Sequence, residues 1–283
     1  MSRPNTIIDG HTHVFPDVVR GGRKKFCKHD AVFCALYGDP RARMAGSDEL
    51  VNDMNTQGVD QAVICGFPWE DLGLCRLHND YLLESARRHP GRLIPFACVP
   101  PRGSGPVEAE IHRVIDGGMK GIGEVAHYAG EEMIWARPLA KLADEIGVPL
   151  LIHTSEEIGH HYPGKGLHGL RSLYEFIGTF PGTTVILAHW GGGLFFYELM
   201  PEVASTTRRV LYDTAASPYL YDSRIYEIAV KITGANRIIF GSDYPLIQPA
   251  RYIREIESAA LEPSARKKIL GENLAEILRA EHC

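Results

Sequence analysis

Eight short apolar runs recur along the chain: TIIDGH, QAVICGF, RLIPFACV, MKGIGEV, VPLLIH, TTVILAH, RRVLYDT and RIIFGSD. They are rich in valine and isoleucine and apolar on both faces, which suits parallel strands covered by helices. Between most of them lies a segment with helical spacing that closes on glycine. SDELVNDMNTQG reads as a helix capped by Ser47 and stopped by Gly58, and LHNDYLLESARRHPG, PVEAEIHRVIDGG and LYEFIGTFPG repeat the order helix, glycine, strand. Eight such alternations with right-handed crossovers predict a (β/α)8 TIM barrel, an α/β fold expected to occupy residues 1–283 as one domain. A doubly wound sheet would carry a glycine-rich phosphate turn after an early strand. The GGG at 191–193 comes late and is not followed by Lys-Ser/Thr.

Composition narrows the class. A 45% hydrophobic and 23% charged content is that of a globular protein, and a net charge of -5 gives no pull toward nucleic acid or acidic membranes. No run approaches membrane-spanning length and the start MSRPNT is no leader, so a cytoplasmic protein is expected. Six cysteines, Cys27, Cys34, Cys65, Cys75, Cys98 and Cys283, form no CxxC pair and read as small apolar residues. The long connection from Val14 to about Gly46 contains RGGRKKFCKHD and reads first as a solvated basic loop. Its functional alternative is a lid in which Arg20, Arg23, Lys24, Lys25 or Lys28 meets an anionic substrate.

Polar residues gather where the apolar runs end. His11 and His13 follow the first run, Glu124 lies in the fourth, His153 ends the fifth, His189 the sixth, and Asp243 follows the eighth. Singly, each has a bland reading: a chance pair, a satisfied core histidine, a turn aspartate, a paired glutamate. In a barrel, however, all strand ends converge on one mouth, and ring nitrogens with carboxylates at equivalent positions have a divalent metal as their common explanation. Imidazole and carboxylate suit zinc, with manganese or iron as alternatives, and thiolate ligation is absent.

The stretches IIDGHTHVFP, NDYLLESARRHPGRLIPFACVPP, GGMKGIGEV, GVPLLIHTSE, VILAHWGGG, IIFGSDYPL and ILGENLAEIL resemble, in this order, the amidohydrolase superfamily. The resemblance is to the branch that contains aminocarboxymuconate-semialdehyde decarboxylase and metal-dependent hydrolases, and it implies a distorted (β/α)8 barrel. It implies one metal held by His11, His13, His153 and Asp243, with His189 beside it as an acid/base or electrostatic group. GIGE at Glu124 is also similar to TatD-type nucleases and other binuclear members, where Glu124 would join two ions and His153 and His189 would hold the second. No lysine occupies the Glu124 position to serve as a carboxylated bridge.

The expected activity is hydrolysis of a C–O or C–N bond in a small, carboxylate-bearing substrate by metal-activated water. Asp243 passes the proton to the leaving group and His189 steadies the developing charge. The same cluster serves non-oxidative decarboxylation equally well, and nuclease action or an inactive binding barrel are further alternatives. Arg137, Arg171 and Lys165 are candidates for an acidic substrate, Phe67 and Trp69 for a pocket wall, Asp213 and Thr214 for a turn or a partner of the ligands, and His160, His161 and His168 for the pocket rim. The partners expected are a small-molecule substrate, no nucleic acid and no membrane, with a homo-oligomer open.

Overall fold

The computed structural model describes residues 6–101, 105–128, 132–166 and 169–280. Every run expected to be a strand is one: β1 Ile8–His13, β2 Gln61–Cys65, β3 Leu93–Pro95, β4 Ile122–Val125, β5 Leu150–Ile152, β6 Val185–Leu187, β7 Val210–Asp213 and β8 Ile238–Ile239. Neighbours pair in parallel as β1-β2-β3 and as β4 through β8. Backbone bonds close both seams. Ala97 N–H donates to Gly121 and Gly123 N–H to Ala97, at 2.8 and 2.9 Å, while Gly10 N–H donates to Phe240 and His13 N–H to Tyr244, both at 2.7 Å. The result is a distorted (β/α)8 barrel whose irregularity is concentrated where single bridges, Ala97 with Ile122 and Thr12 with Tyr244, replace full ladders.

Side chains alternate across the wall with the period of a strand. Val63, Leu151, Ile186 and Leu211 join an inner cluster with Ile8, Phe96 and Ile239, while their neighbours Ile64, Leu150, Ile152, Val185 and Leu187 pack outward against the helices. Leu274, on the helix Asn273–Ala280, plugs the inner cluster from the amino-terminal end. Each such aliphatic side chain contributes about 1.5–3 kcal/mol on burial.

The helix Ser47–Gln57 ends as expected on Gly58 in the left-handed conformation, but its cap is Gly46. Ser47 is already helical, and its Oγ instead accepts from the Tyr81 hydroxyl at 3.2 Å. The connection from Val14 to Gly46 is likewise not an open loop. It forms three short helices, Asp17–Gly21, Arg23–Phe26 and Ala31–Tyr37, because Phe15, Phe26 and Phe33 pack with Phe67 and Trp69 into a cluster beside the mouth. Arg20 pairs with Asp17 and Glu49, Arg23 donates to the Asp39 and Ala42 carbonyls, and Lys24, Lys25 and Lys28 are exposed. Cys65, Cys75 and Cys98 are buried free thiols, Cys27 and Cys34 are free as well, and Cys283 lies outside the described residues. Among the described residues no helix is long and apolar enough to cross a membrane.

Candidate metal centre

The carboxyl ends of the strands carry the polar continuation of the inner layer. His153 follows Leu151 by two residues and Asp213 follows Leu211 by two, so ordinary alternation points both into the mouth. The other groups need local irregularity. In β1 the register against β2 shifts between Asp9 and Thr12, which lets Ile8 and His11 both face the axis although they are three residues apart. His11 also requires Gly241, since a Cβ there would stand 2.8 Å from the His11 Cβ. At the sixth strand His189 is in the left-handed region, φ 55°, followed by Trp190 and Gly191–Gly193 with φ from 58° to 89°. Glycine adopts this conformation without penalty, and the reversal turns the His189 ring into the barrel. Asp243 sits at φ 58°.

His11 Nε2 and His13 Nε2 are 3.0 Å apart and lie 3.6 Å from Glu124 Oε1 and Oε2 respectively. Asp243 Oδ1 is 3.5 Å from His13 Nε2 and 3.9 Å from His11 Nε2. On the other side of Glu124, its Oε1 is 3.0 Å from His153 Nδ1 and 3.7 Å from His189 Nε2, and these two nitrogens are 3.3 Å apart. All six residues that the sequence singled out therefore converge, but in two sets that share Glu124: His11 and His13, flanked by Asp243, and His153 with His189.

The outer nitrogens define what the inner ones offer. His11 Nδ1–H donates to Asp213 Oδ2 at 2.7 Å, His153 Nε2–H to the Gly164 carbonyl at 2.9 Å and His189 Nδ1–H to the Ala215 carbonyl at 3.1 Å. His13 is hydrogen-bonded to the Gly66 backbone. With the outer nitrogen donating, the inner nitrogen of each neutral ring presents a lone pair to the centre. Lone pairs 3.0 to 3.3 Å apart beside carboxylates repel unless positive charge lies between them. Ligand atoms about 2.0–2.2 Å from one divalent ion stand roughly 3–3.5 Å from each other, so the spacing fits a metal.

Electrostatics state the same demand. Burial pushes the His11 and His153 rings down, yet the Glu124 charge, with Asp213 for His11, outweighs it and holds both above the usual value. Burial likewise pushes Glu124 up, and the His11 and His153 charges reverse this and hold it well below the usual carboxylate range. His13 is lowered by burial and then by the His11 charge beside it.

A cavity of about 550 Å³ opens from these groups to solvent. Its walls are aromatic: Tyr37, Phe67, Tyr128, Tyr162 and Tyr219. Burial raises the Tyr37 and Tyr128 phenols, and the nearby Glu124 and Asp243 charges raise them further, so both stay protonated donors. The cations at this cavity are Arg41 and Arg43, paired with Asp39 and Glu49, and not the basic residues between Arg20 and Lys28. His160 lines the cavity as expected, whereas Trp69 is buried in packing. Arg137, Lys165, Arg171 and His161 line a separate groove of about 700 Å³ outside the β5 end, and His168 lies outside the described residues. Tyr37, Tyr128, Arg41 and Arg43 carry no sequence pattern that marks them; only their positions after strand ends could have drawn attention to them.

Fold and site together define a class, a closed (β/α)8 barrel with a histidine and carboxylate centre at the carboxyl ends of its strands. The chain belongs to the amidohydrolase family, whose model matches residues 8–280. Among solved structures it is similar to 5-carboxyvanillate decarboxylase from Sphingomonas paucimobilis, at 17% identity and a TM-score of 0.80 over 97% of this chain and 99% of that one. The 5-carboxyvanillate decarboxylase of Novosphingobium aromaticivorans, complexed with manganese and 4-hydroxy-3-methoxy-5-nitrobenzoic acid, matches at 17% identity and a TM-score of 0.77 over 98% and 97%. A putative amidohydrolase from Staphylococcus aureus matches at 20% identity and a TM-score of 0.75 over 97% and 99%. At these identities the likeness establishes the fold.

Proposed function

We propose that the protein is a metal-dependent lyase that removes the carboxylate of a small aromatic acid without oxidation. The observation that carries this reading is the convergence of inward imidazole lone pairs on Glu124 and Asp243, at the base of an aromatic cavity. His11, His13, Glu124 and Asp243 would hold a divalent ion, zinc or manganese by ligand type. When bound, the ion supplies positive charge that anchors a substrate carboxylate or phenolate and offsets charge developing on it.

The chain's own groups supply the rest. The cavity of about 550 Å³ has room for a single aromatic ring, and the Tyr37 and Tyr128 phenols that line it would donate to the anionic oxygens of the substrate. Arg41 and Arg43 at the mouth favour anionic substrates. Of the two carboxyls that line the cavity, Asp243 is the more open, its side chain 17% exposed against 6% for Glu124. It delivers its proton to the ring carbon that bears the carboxylate, a new C–H bond forming from a ring electron pair. The C–C bond then breaks, its electron pair returns to the ring, carbon dioxide leaves, and Asp243 regains a proton from solvent. His189, 3.7 Å from Glu124, steadies the charge that develops at the centre. That two similar barrels bear the name of a decarboxylase of an aromatic acid supports the reaction class.

Hydrolysis is the second reading, favoured by one feature: Glu124 is shared by two sets of potential ligands, the arrangement that lets two ions activate a water. Metal analysis of the purified protein, followed on the same sample by aromatic acids, lactones and amides, separates the two. Carbon dioxide from aromatic acids sustains the lyase. Acid released only from lactones or amides replaces it with the hydrolase, and a metal-free protein without turnover would leave a binding barrel.

A further inference from the structure

Asp213 closes β7 and is fully buried. Its Oδ2 accepts the His11 Nδ1–H at 2.7 Å, and its Oδ1 accepts two backbone N–H groups, from His189 at 2.8 Å and Ala215 at 2.9 Å. Among the described residues no lysine or arginine pairs with it, and His11 is its ion-pair partner. A buried carboxylate without a fixed cation is costly, so its bonds must do something a hydrophobic residue could not. Two of the three donors belong to the centre: the ring of His11, and the backbone of His189 at the start of the left-handed turn.

We propose that Asp213 is a positioning residue that sets two site histidines from different strands at once. Through Oδ2 it fixes His11 with the proton on Nδ1 and the Nε2 lone pair turned to the centre. Through Oδ1 it pins the strained backbone from which the His189 ring enters the mouth. This rests on the metal-dependent reading above for its consequence, though not for its geometry. In Asp213→Asn the remaining carbonyl still accepts the two backbone N–H groups. The amide nitrogen then faces His11 Nδ1, which must become an acceptor, and the ring proton moves to Nε2, only 3.0 Å from His13 Nε2.

Two readouts test this. Titration with zinc or manganese alone should show Asp213→Asn binding about 10- to 100-fold more weakly than the wild type. Nitrogen-15 spectra of the metal-free proteins at alkaline pH, where the ring is neutral, should show the His11 proton on Nδ1 in the wild type and on Nε2 in the variant. Equal metal affinity, or weakened affinity with the proton still on Nδ1, overturns the proposal while leaving the metal reading in place. If the wild type binds no metal the functional reading fails, and the ring spectra still decide for or against Asp213. Should the variant not fold, a wild-type His11 with its proton on Nε2 overturns the proposal, and one with it on Nδ1 upholds it.

Discussion

At the amino-terminal end of the barrel the inward side chains are Ile8, Val63, Phe96, Leu151, Ile186, Leu211 and Ile239, closed by Leu274. A few residues further along the same strands, at the opposite end, stand His11, His13, Glu124, His153, His189, Asp213 and Asp243. The first end needs no unusual backbone and gains from every apolar contact. The second buries groups that resist burial, and it holds the non-glycine residues His189, Trp190, Ala216 and Asp243 at positive φ. Each such residue costs on the order of 1 kcal/mol. One wall of strands thus carries stability at one end and a strained, polar centre at the other, an arrangement expected where strain is retained for function.

The largest test of this division is Asp243→Asn. Turnover should fall by about 10³-fold or more while metal content, held by His11, His13 and Glu124, stays substantial, as read by steady-state kinetics and metal analysis. A variant with half the normal rate removes Asp243 from the chemistry. At the apolar end, Leu274→Ala should cost about 2–5 kcal/mol in urea denaturation with the rate per folded molecule unchanged. Loss of specific activity in parallel would show that the ends are not independent.

His78 supports the polar end from behind. Its Nε2–H donates to the Val14 carbonyl at 2.7 Å, at the end of β1, and Nδ1 accepts from Trp69 Nε1–H at 3.2 Å. Burial pushes its pKa from 6.5 down to about 4. The folded state favours the neutral ring, so this contribution is fully present above pH 6.5 and is lost as pH falls through about 4. It amounts to about 3 kcal/mol. Denaturation across that window should show wild type losing more stability than His78→Gln; parallel curves would contradict the neutral assignment. The smallest effect expected is from the ion: zinc or manganese at 100 times its dissociation constant should add about 2.7 kcal/mol, reversed by a chelator. An unchanged midpoint with either ion speaks against the centre.

Much of this was legible in order along the chain. Runs such as VPLLIH and TTVILAH specify strands by local apolarity, and His153 and His189 at their ends mark the mouth. The partners of those histidines were legible only as two alternatives. The resemblance to the decarboxylase-containing branch sets His153 beside His11 and His13, and the resemblance to binuclear members pairs it with His189 across Glu124; in the folded chain His153 Nδ1 is 3.3 Å from His189 Nε2, with Glu124 between the two sets. Ring direction depends on the register shift in β1 and on the left-handed turn at 189–193, which strand alternation does not foresee. The helices of 17–37 escaped notice for a similar reason: each is too short to show a period and is held by aromatic packing.

The sequence by itself determined the number and order of the strands, the barrel they form and the residue types gathered at its mouth, because apolar periodicity and strand polarity act locally. Only the tertiary structure decided that Glu124 joins two sets of ring nitrogens and that one buried carboxylate, Asp213, bonds to both the His11 ring and the His189 backbone. Those contacts join residues from 24 to 202 positions apart in the chain, and their geometry exists only once the barrel has closed.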